Sequence, residues 1–255
     1  MSLQRPITAA VLAVGLGLSL VGCQGDDKPA AGASNPTTSA PTTATSTPTP
    51  TASAPTTPAA PAPAPRTKAS LTKALLALED LPSGFAIDPE SAGDDAGTKL
   101  TSSDAKCKPL VKLFNDDVPP GSKVSVSREF SGGQEGPFVG EQLDALPSAA
   151  ATKAYLASVK SAVSSCKKAK LTISGAGTSP VTVAEVSAPK AGTGPTAVRI
   201  TAAGGPLQGL EIHFVFTAFD DVLLSMNFDS GDIEDPTLDA ADKVHQVLGT
   251  STQGT

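Results

Sequence analysis

Histidine is nearly absent from this chain of 255 residues: His213 and His245 are the only two, and there are three cysteines, Cys23, Cys107 and Cys166. A catalytic triad or a zinc site would need one or both histidines to converge with other groups, and no spacing in the sequence arranges that. No HExxH, GxSxG or P-loop pattern occurs, and Gly132-Gly133 and Gly175-Ala176-Gly177 lack phosphate-loop spacing, so they read as turns. Basic residues are also in deficit, 19 against 25 acidic ones, for a formal net charge of -6. That balance excludes a basic nucleic-acid footprint and argues against charge-driven binding to anionic lipid headgroups; the acidity reads as solubility. Long apolar runs are scarce too. Only the stretch Ile7 to Val21 is long, apolar and uncharged, and it is shorter than the roughly 20 residues of a comfortable bilayer span.

That stretch follows a single basic residue, Arg5, which is the layout of an export signal over residues 1–22. It ends Leu20-Val21-Gly22-Cys23, an aliphatic residue and two smaller ones before a cysteine. These residues resemble the lipobox of bacterial lipoproteins. The resemblance implies cleavage before Cys23 and transfer of a diacylglyceryl group to its thiol; the other reading is an ordinary signal peptide with a chance cysteine near its end. Each buried methylene of an acyl chain contributes about 0.8 kcal/mol, so two chains hold a protein to the membrane without help from the polypeptide. Losing Arg5 with the signal takes the net charge from -6 to -7. The expected location is the outer face of the cell membrane, anchored by lipid.

From Gln24 to about Arg66 the chain is nearly all Pro, Thr, Ala, Ser and Gly. With so little apolar surface to bury, such a segment is expected to remain a disordered tether, residues 23–68. Runs such as Pro61-Ala62-Pro63-Ala64-Pro65 favour extended polyproline geometry at roughly 3 Å per residue. The density of Thr and Ser near Pro also resembles O-glycosylated stalks.

A single domain is expected over residues 69–249, with a short tail at 250–255. Ser70 followed by Leu71, Leu75 and Leu78 predicts a first helix, stopped by Pro82 and Gly84. Cys107, Leu110, Val111 and Phe114 share one helical face, and Pro109 places the start of that helix near Cys107. A longer helix is predicted from Ser148 to Cys166, with Tyr155, Val159, Ala162 and Val163 on its apolar stripe. The period then changes to two in Val124–Phe130, Leu171–Ile173, Val181–Val183 and Val198–Ile200, which predicts strands with one wet face. The clearest hairpin runs from Leu210 to Phe216, turns at Asp220-Asp221 and returns from Val222 to Phe228. Asp235-Pro236 is expected to supply the N-cap and first-turn proline of a last helix. The fold class is therefore α+β: an antiparallel meander with helices packed on one face.

Cys107 and Cys166 both face inward on this reading. In an exported chain whose third cysteine carries lipid, they most simply form one disulfide; two separate buried thiols are the alternative. Closing the loop contributes roughly 3 to 4 kcal/mol by the chain-entropy model.

The opening helix ending Asp80-Leu81-Pro82-Ser83-Gly84, the Cys107 helix, the Val124–Phe130 strand, the helix ending at Cys166 and the final hairpin and helix follow one another in an order that resembles a known group. It is that of the exported sensor-type domains of actinobacterial lipoproteins, related to the extracellular domain of the mycobacterial Ser/Thr kinase PknH. The resemblance implies helices disulfide-linked to an antiparallel sheet, with one bridge here where the kinase domain carries two. It carries over no functional residue, and without a kinase in this chain any signal would need a separate transducer.

His213 is expected on the exposed side of the sheet beside Glu211, and His245 within the last helix. Asp229, Asp232, Glu234 and Asp235 have the oxygen chemistry of a calcium site but not its EF-hand spacing, and a solvated turn and helix cap accounts for them. No enzyme, catalytic residue, cofactor or metal is expected. The leading expectation is a non-catalytic binding or sensing domain that uses a groove between sheet and helices. Its partners would be the membrane, through Cys23, and an envelope protein or small amphiphilic ligand. A lipid or glycolipid carrier is the alternative, and it would need an apolar cavity on the order of several hundred Å³. A hydrolase built on paired Asp or Glu side chains is a third possibility, for which the sequence gives no positive sign.

Overall fold

The computed structural model describes residues 65–88, 97–133, 136–229 and 232–250, all within one compact unit, Pro58–Thr255. The export signal, the lipobox with Cys23, most of the Pro-rich segment and residues 251–255 lie outside the described residues.

Four α-helices are present among them: α1 (Lys68–Ala74), α2 (Lys108–Asn115), α3 (Ala149–Ser165) and α4 (Glu234–Leu248). Nine strands form one sheet: β1 (Ala86–Ile87), β2 (Thr98–Thr101), β3 (Val124–Ser131), β4 (Phe138–Ala145), β5 (Lys168–Ile173), β6 (Gly177–Val186), β7 (Thr193–Ala202), β8 (Glu211–Phe219) and β9 (Val222–Phe228). Their order is β1-β3-β4-β9-β8-β7-β6-β5-β2, and every pairing is antiparallel. The run β5 to β9 is the expected meander. The β3–β4 hairpin sits at its far side, against β9, so the chain must cross four strands between β4 and β5. Helix α3 makes that crossing. Its 17 residues span about 25 Å at 1.5 Å per residue, and it packs on β9, β8, β7 and β6 in turn.

Local chemistry explains most of the boundaries. Ser148 caps α3 by accepting the Ala151 N–H, and Pro109 occupies the first turn of α2. Helix α1 begins earlier than Ser70 because Thr67 and Ser70 form a reciprocal capping box, and it ends at Ala74. Leu78 belongs instead to a separate 3₁₀ turn, Leu78–Asp80. Helix α4 starts at Glu234, so Asp235 lies inside its first turn and is not its cap; Asp232 accepts the Glu234 N–H at 2.8 Å. At the other end of α4, Gly249 takes the left-handed conformation (φ 61°) that closes a helix most readily without a side chain.

The helices do not share one face, as the sequence had suggested. On β8, Val215 joins the core built by α1 and α4, while Phe214 and Phe216, its neighbours in the chain, face the core built by α2 and α3. Because successive strand residues point to opposite sides, the sheet is covered on both faces by different helix pairs. Cys107, just before α2, and Cys166, at the end of α3, form the expected disulfide. It fastens the helix pair over the β5–β8 half of the sheet, and both cysteines are buried.

Candidate functional site

The α2/α3 face carries a groove of about 520 Å³. Its floor follows from strand register. Gly140 on β4 pairs with Asn227 on β9, which pairs with Phe214 on β8; one step along, Gln142 pairs with Ser225 and Ser225 with Phe216. Directly opposed residues share a face, so the floor changes from amide and hydroxyl groups on β4 and β9 to aromatic rings on β8. Leu113, Phe114 and Asn115 at the end of α2, the segment Asp116 to Pro119 and Tyr155 of α3 wall it in, and Thr98 and Lys99 of β2 complete the rim. Phe114 stands edge-on to Phe214, with ring centroids 5.4 Å apart and an interplanar angle of 75°. Phe214 and Phe216 lie nearly parallel, 6.4 Å apart.

On the polar half of the floor, Gln142 is fixed by its neighbours on the same face. Asp144, fully buried, accepts from Ser122 Oγ at 3.0 Å and from Gln142 Nε2 at 2.8 Å. Burial pushes its carboxyl above the usual range, against the pull of hydrogen bonds from Gln142, Ser125 and Ser122. Gln142 Nε2 also donates to the Asp117 carbonyl at 3.1 Å, which ties the wall segment to β4. Asn115 is held at both ends of its amide by the Leu100 backbone, at 2.9 and 2.8 Å. Asn227 lies across Gly140: a Cβ built on that glycine would fall 2.0 Å from Asn227 Oδ1, so a strand residue without a side chain is what gives the amide its seat. By contrast, the side chains of Tyr155, Ser225 and Asn227 make no hydrogen bond with other described residues. The Tyr155 hydroxyl is pushed up to about 12, first by burial and then by the nearby charges of Asp144 and Asp116, and so stays protonated.

A second polar group lies one residue away in sequence and on the opposite face. Glu141 is 2% exposed, accepts the Leu76 N–H at 2.6 Å through Oε2, and leaves Oε1 buried without a partner. Arg128, paired with Glu141 across β3 and β4, donates to the Leu76 carbonyl. Burial pushes the Glu141 carboxyl up to about 8, against the lowering influence of the Leu76 N–H, Arg128 and Lys243. This arrangement fixes the two peptide groups that flank the Leu76 Cα, in the segment after α1. Glu141 lines neither the groove nor the two other pockets described, so it gives no support to paired-acid hydrolysis there.

The residues singled out from sequence fall elsewhere. His213 is not on an exposed side: it shares a face with Val215 and Thr217, its side chain is 12% exposed, and Nε2 lies 3.3 Å from Glu211 Oε1, the neighbour expected. The helices α1 and α4 give that face a second cover, which strand alternation alone does not reveal. His245 is in α4, half-buried, with Nδ1 unpartnered. Asp229 accepts the Phe138 N–H, and Asp232 accepts the Glu234 N–H where α4 begins. Among the described residues no three His, Cys, Asp or Glu side chains gather as a metal site, and no helix is long and apolar enough to cross a membrane. Cys23 lies outside the described residues.

The groove residues missed from sequence are Gln142, Ser225 and Asn227, single polar positions on strands that look like any solvated face. Phe114, Tyr155, Phe214 and Phe216 were visible only as core stripes. Pairing register brings the two sets together, and register between distant strands has no local signature.

No protein-family model matches the chain, and no curated protein matches it. Four solved chains do. The extracellular domain of PknH from Mycobacterium tuberculosis aligns over 73% of this chain and 98% of its own length, at 14% identity and a TM-score of 0.52. An uncharacterised protein from Mycobacterium smegmatis aligns over 67% of this chain and 90% of its own, at 14% identity and a TM-score of 0.33. The first of these likenesses establishes that the described residues have the fold of the PknH extracellular domain.

Proposed function

We propose that the chain is a non-catalytic ligand-binding domain of the cell envelope, held outside the membrane by lipid on Cys23, and that the groove on the α2/α3 face is its binding site. The observation that carries this reading is the groove itself. Its volume of about 520 Å³ lies within the roughly 300–1,000 Å³ of small-molecule sites, and such sites combine apolar walls with a few placed polar groups. Three of its polar side chains have hydrogen-bonding capacity that no described residue takes up. Extracytoplasmic placement is supported by the export-type opening, by the disulfide and by the shared fold with an extracellular domain. The lipid-carrier alternative finds little support: the apolar pocket beneath the groove, between α2, α3 and β8, holds only about 40 Å³, far short of an acyl chain.

Native mass spectrometry of the exported full chain tests the site. We expect a bound small molecule that is lost when the groove is filled by Ser225→Trp, or by Asp117→Trp at the exposed rim, with melting curves confirming that each variant folds. An adduct retained equally by both folded variants would place the ligand elsewhere and end the groove reading. Release of the native protein from membranes after Cys23→Ser, with growth in labelled palmitate failing to mark that variant, is the outcome expected of the lipid anchor.

A further inference from the structure

The chemistry of the groove narrows its ligand. The floor carries no charged group: its polar half is two amides and a hydroxyl, Gln142, Asn227 and Ser225, and its other half is Phe214 and Phe216. Charges stand only at the rim, with Lys99 against Asp116 and Asp117, and Asp116 is already paired with Lys112 at 2.5 Å. A strongly anionic or cationic ligand would find no counter-charge where it is desolvated, which is costly. An acyl chain finds only about 40 Å³ in the apolar pocket next to the groove. An added peptide strand would need a free sheet edge, whereas the floor consists of β4, β9 and β8, each flanked on both sides, and the edge strand β2 reaches the groove only at the rim, through Thr98 and Lys99.

Amides and hydroxyls both donate and accept, so Asn227, Ser225 and the Tyr155 hydroxyl suit ligand groups that also do both. A hydroxyl-rich ring has such groups along its edge, and its C–H face is apolar enough to lie against aromatic side chains. We propose that the groove binds a neutral saccharide, its hydroxyls engaged by Asn227, Ser225 and Tyr155 and its C–H face set against the Phe114–Phe214–Phe216 cluster. This rests on the groove being the binding site. The volume suits a short oligosaccharide better than a single ring, and the seat that Gly140 provides for Asn227 belongs to the same recognition surface.

The chain supplies its own reporter. Tyr155 is the only tyrosine and there is no tryptophan, so intrinsic emission near 300 nm reads the groove wall directly. Titration of the exported full chain with the trisaccharides of glucose, mannose and N-acetylglucosamine should change that emission saturably for at least one of them. Asn227→Ala and Ser225→Ala, each removing one neutral hydrogen bond worth about 1 kcal/mol, should each weaken binding on the order of fivefold, while Lys170→Ala on the uncovered surface should leave it unchanged. Adenosine and a sugar-free zwitterionic detergent with an octyl chain are titrated in parallel. If either saturates the signal and no trisaccharide does, the saccharide assignment falls and the groove reading stands. If a trisaccharide binds with equal affinity to Asn227→Ala and Ser225→Ala, the assigned contacts are wrong and the proposal is overturned. If no probe changes the emission, the saccharide assignment fails, and the mass-spectrometric test with Ser225→Trp decides the groove separately.

Discussion

Strand β4 serves two cores that treat their carboxylates in opposite ways. On the α2/α3 face, Asp144 is surrounded by donors and passes its order outward through Gln142 to the groove. On the α1/α4 face, Glu141 has one donor, the Leu76 N–H, and one oxygen with none. A buried carboxylate with several donors acts as scaffolding for whatever lies above it. One with a single donor is held protonated by its surroundings and makes the segment it touches sensitive to pH. The two faces therefore differ in what disturbs them: the groove face through its crosslink and register, the other through loss of the proton on Glu141.

The largest effect should come from Glu141. Its folded pKa is raised from 4.5 to about 8, so between those values the folded state binds a proton that the unfolded state has released. Stability is then fully present below about pH 4.5 and falls as pH rises toward 8, by an amount approaching 5 kcal/mol if the whole shift is realised. Glu141→Gln should flatten this slope in urea denaturation between pH 5 and 9 and be the more stable protein at the alkaline end. An unchanged slope would mean that Glu141 ionises freely and that the contrast between the faces is not electrostatic.

Next is the crosslink. Cys107 and Cys166 are 59 residues apart, and opening that loop should lower unfolding free energy by about 4 kcal/mol in the chain-entropy model. Double replacement by Ser should show it in the same assay, with the loss concentrated in faster amide exchange of α2 and α3 compared with α4. Uniform loss over both faces would show that the two cores open together. A smaller effect, about 1–3 kcal/mol, is expected from Gly140→Ala, whose methyl group must displace the Asn227 amide; ligand binding should weaken more than stability does. Arg66→Ala should cost least, about 1 kcal/mol. Arg66 donates to Asp221 at 2.9 Å and to the Leu248 carbonyl at 3.0 Å, and both contacts are partly exposed.

Much of the architecture is legible in the sequence because it is local. The α3 stripe, the cap at Ser148, the proline at the start of α2 and the β8–β9 hairpin all announce themselves within a few residues, and the two inward cysteines announce their bond. Strand β4 does not. Phe138-Val139-Gly140-Glu141-Gln142-Leu143-Asp144-Ala145 shows no clean alternation, since polar residues point to both faces and each is buried by a different helix pair. Without β4 the second covered face is invisible, and with it the environment of His213, the Glu141 clamp and half of the groove floor. Strands β1 and β2, of two and four residues, are too short to carry a period at all. Fold class thus follows from periodicity, whereas the site follows from a long-range register that no window of sequence contains.

The position of Arg66 has a mechanical meaning. The chain arrives at the domain pinned to the β8–β9 turn through Asp221 and to the end of α4 through Leu248, and it continues directly into α1. A pull on the preceding segment is therefore borne first by these two contacts and then by the packing of one seven-residue helix against α4 and β3. Once those two contacts part, α1 carries the load before the sheet does. Tension along the chain yields on the face away from the groove, which leaves the disulfide-fastened half of the molecule as the last part to feel it.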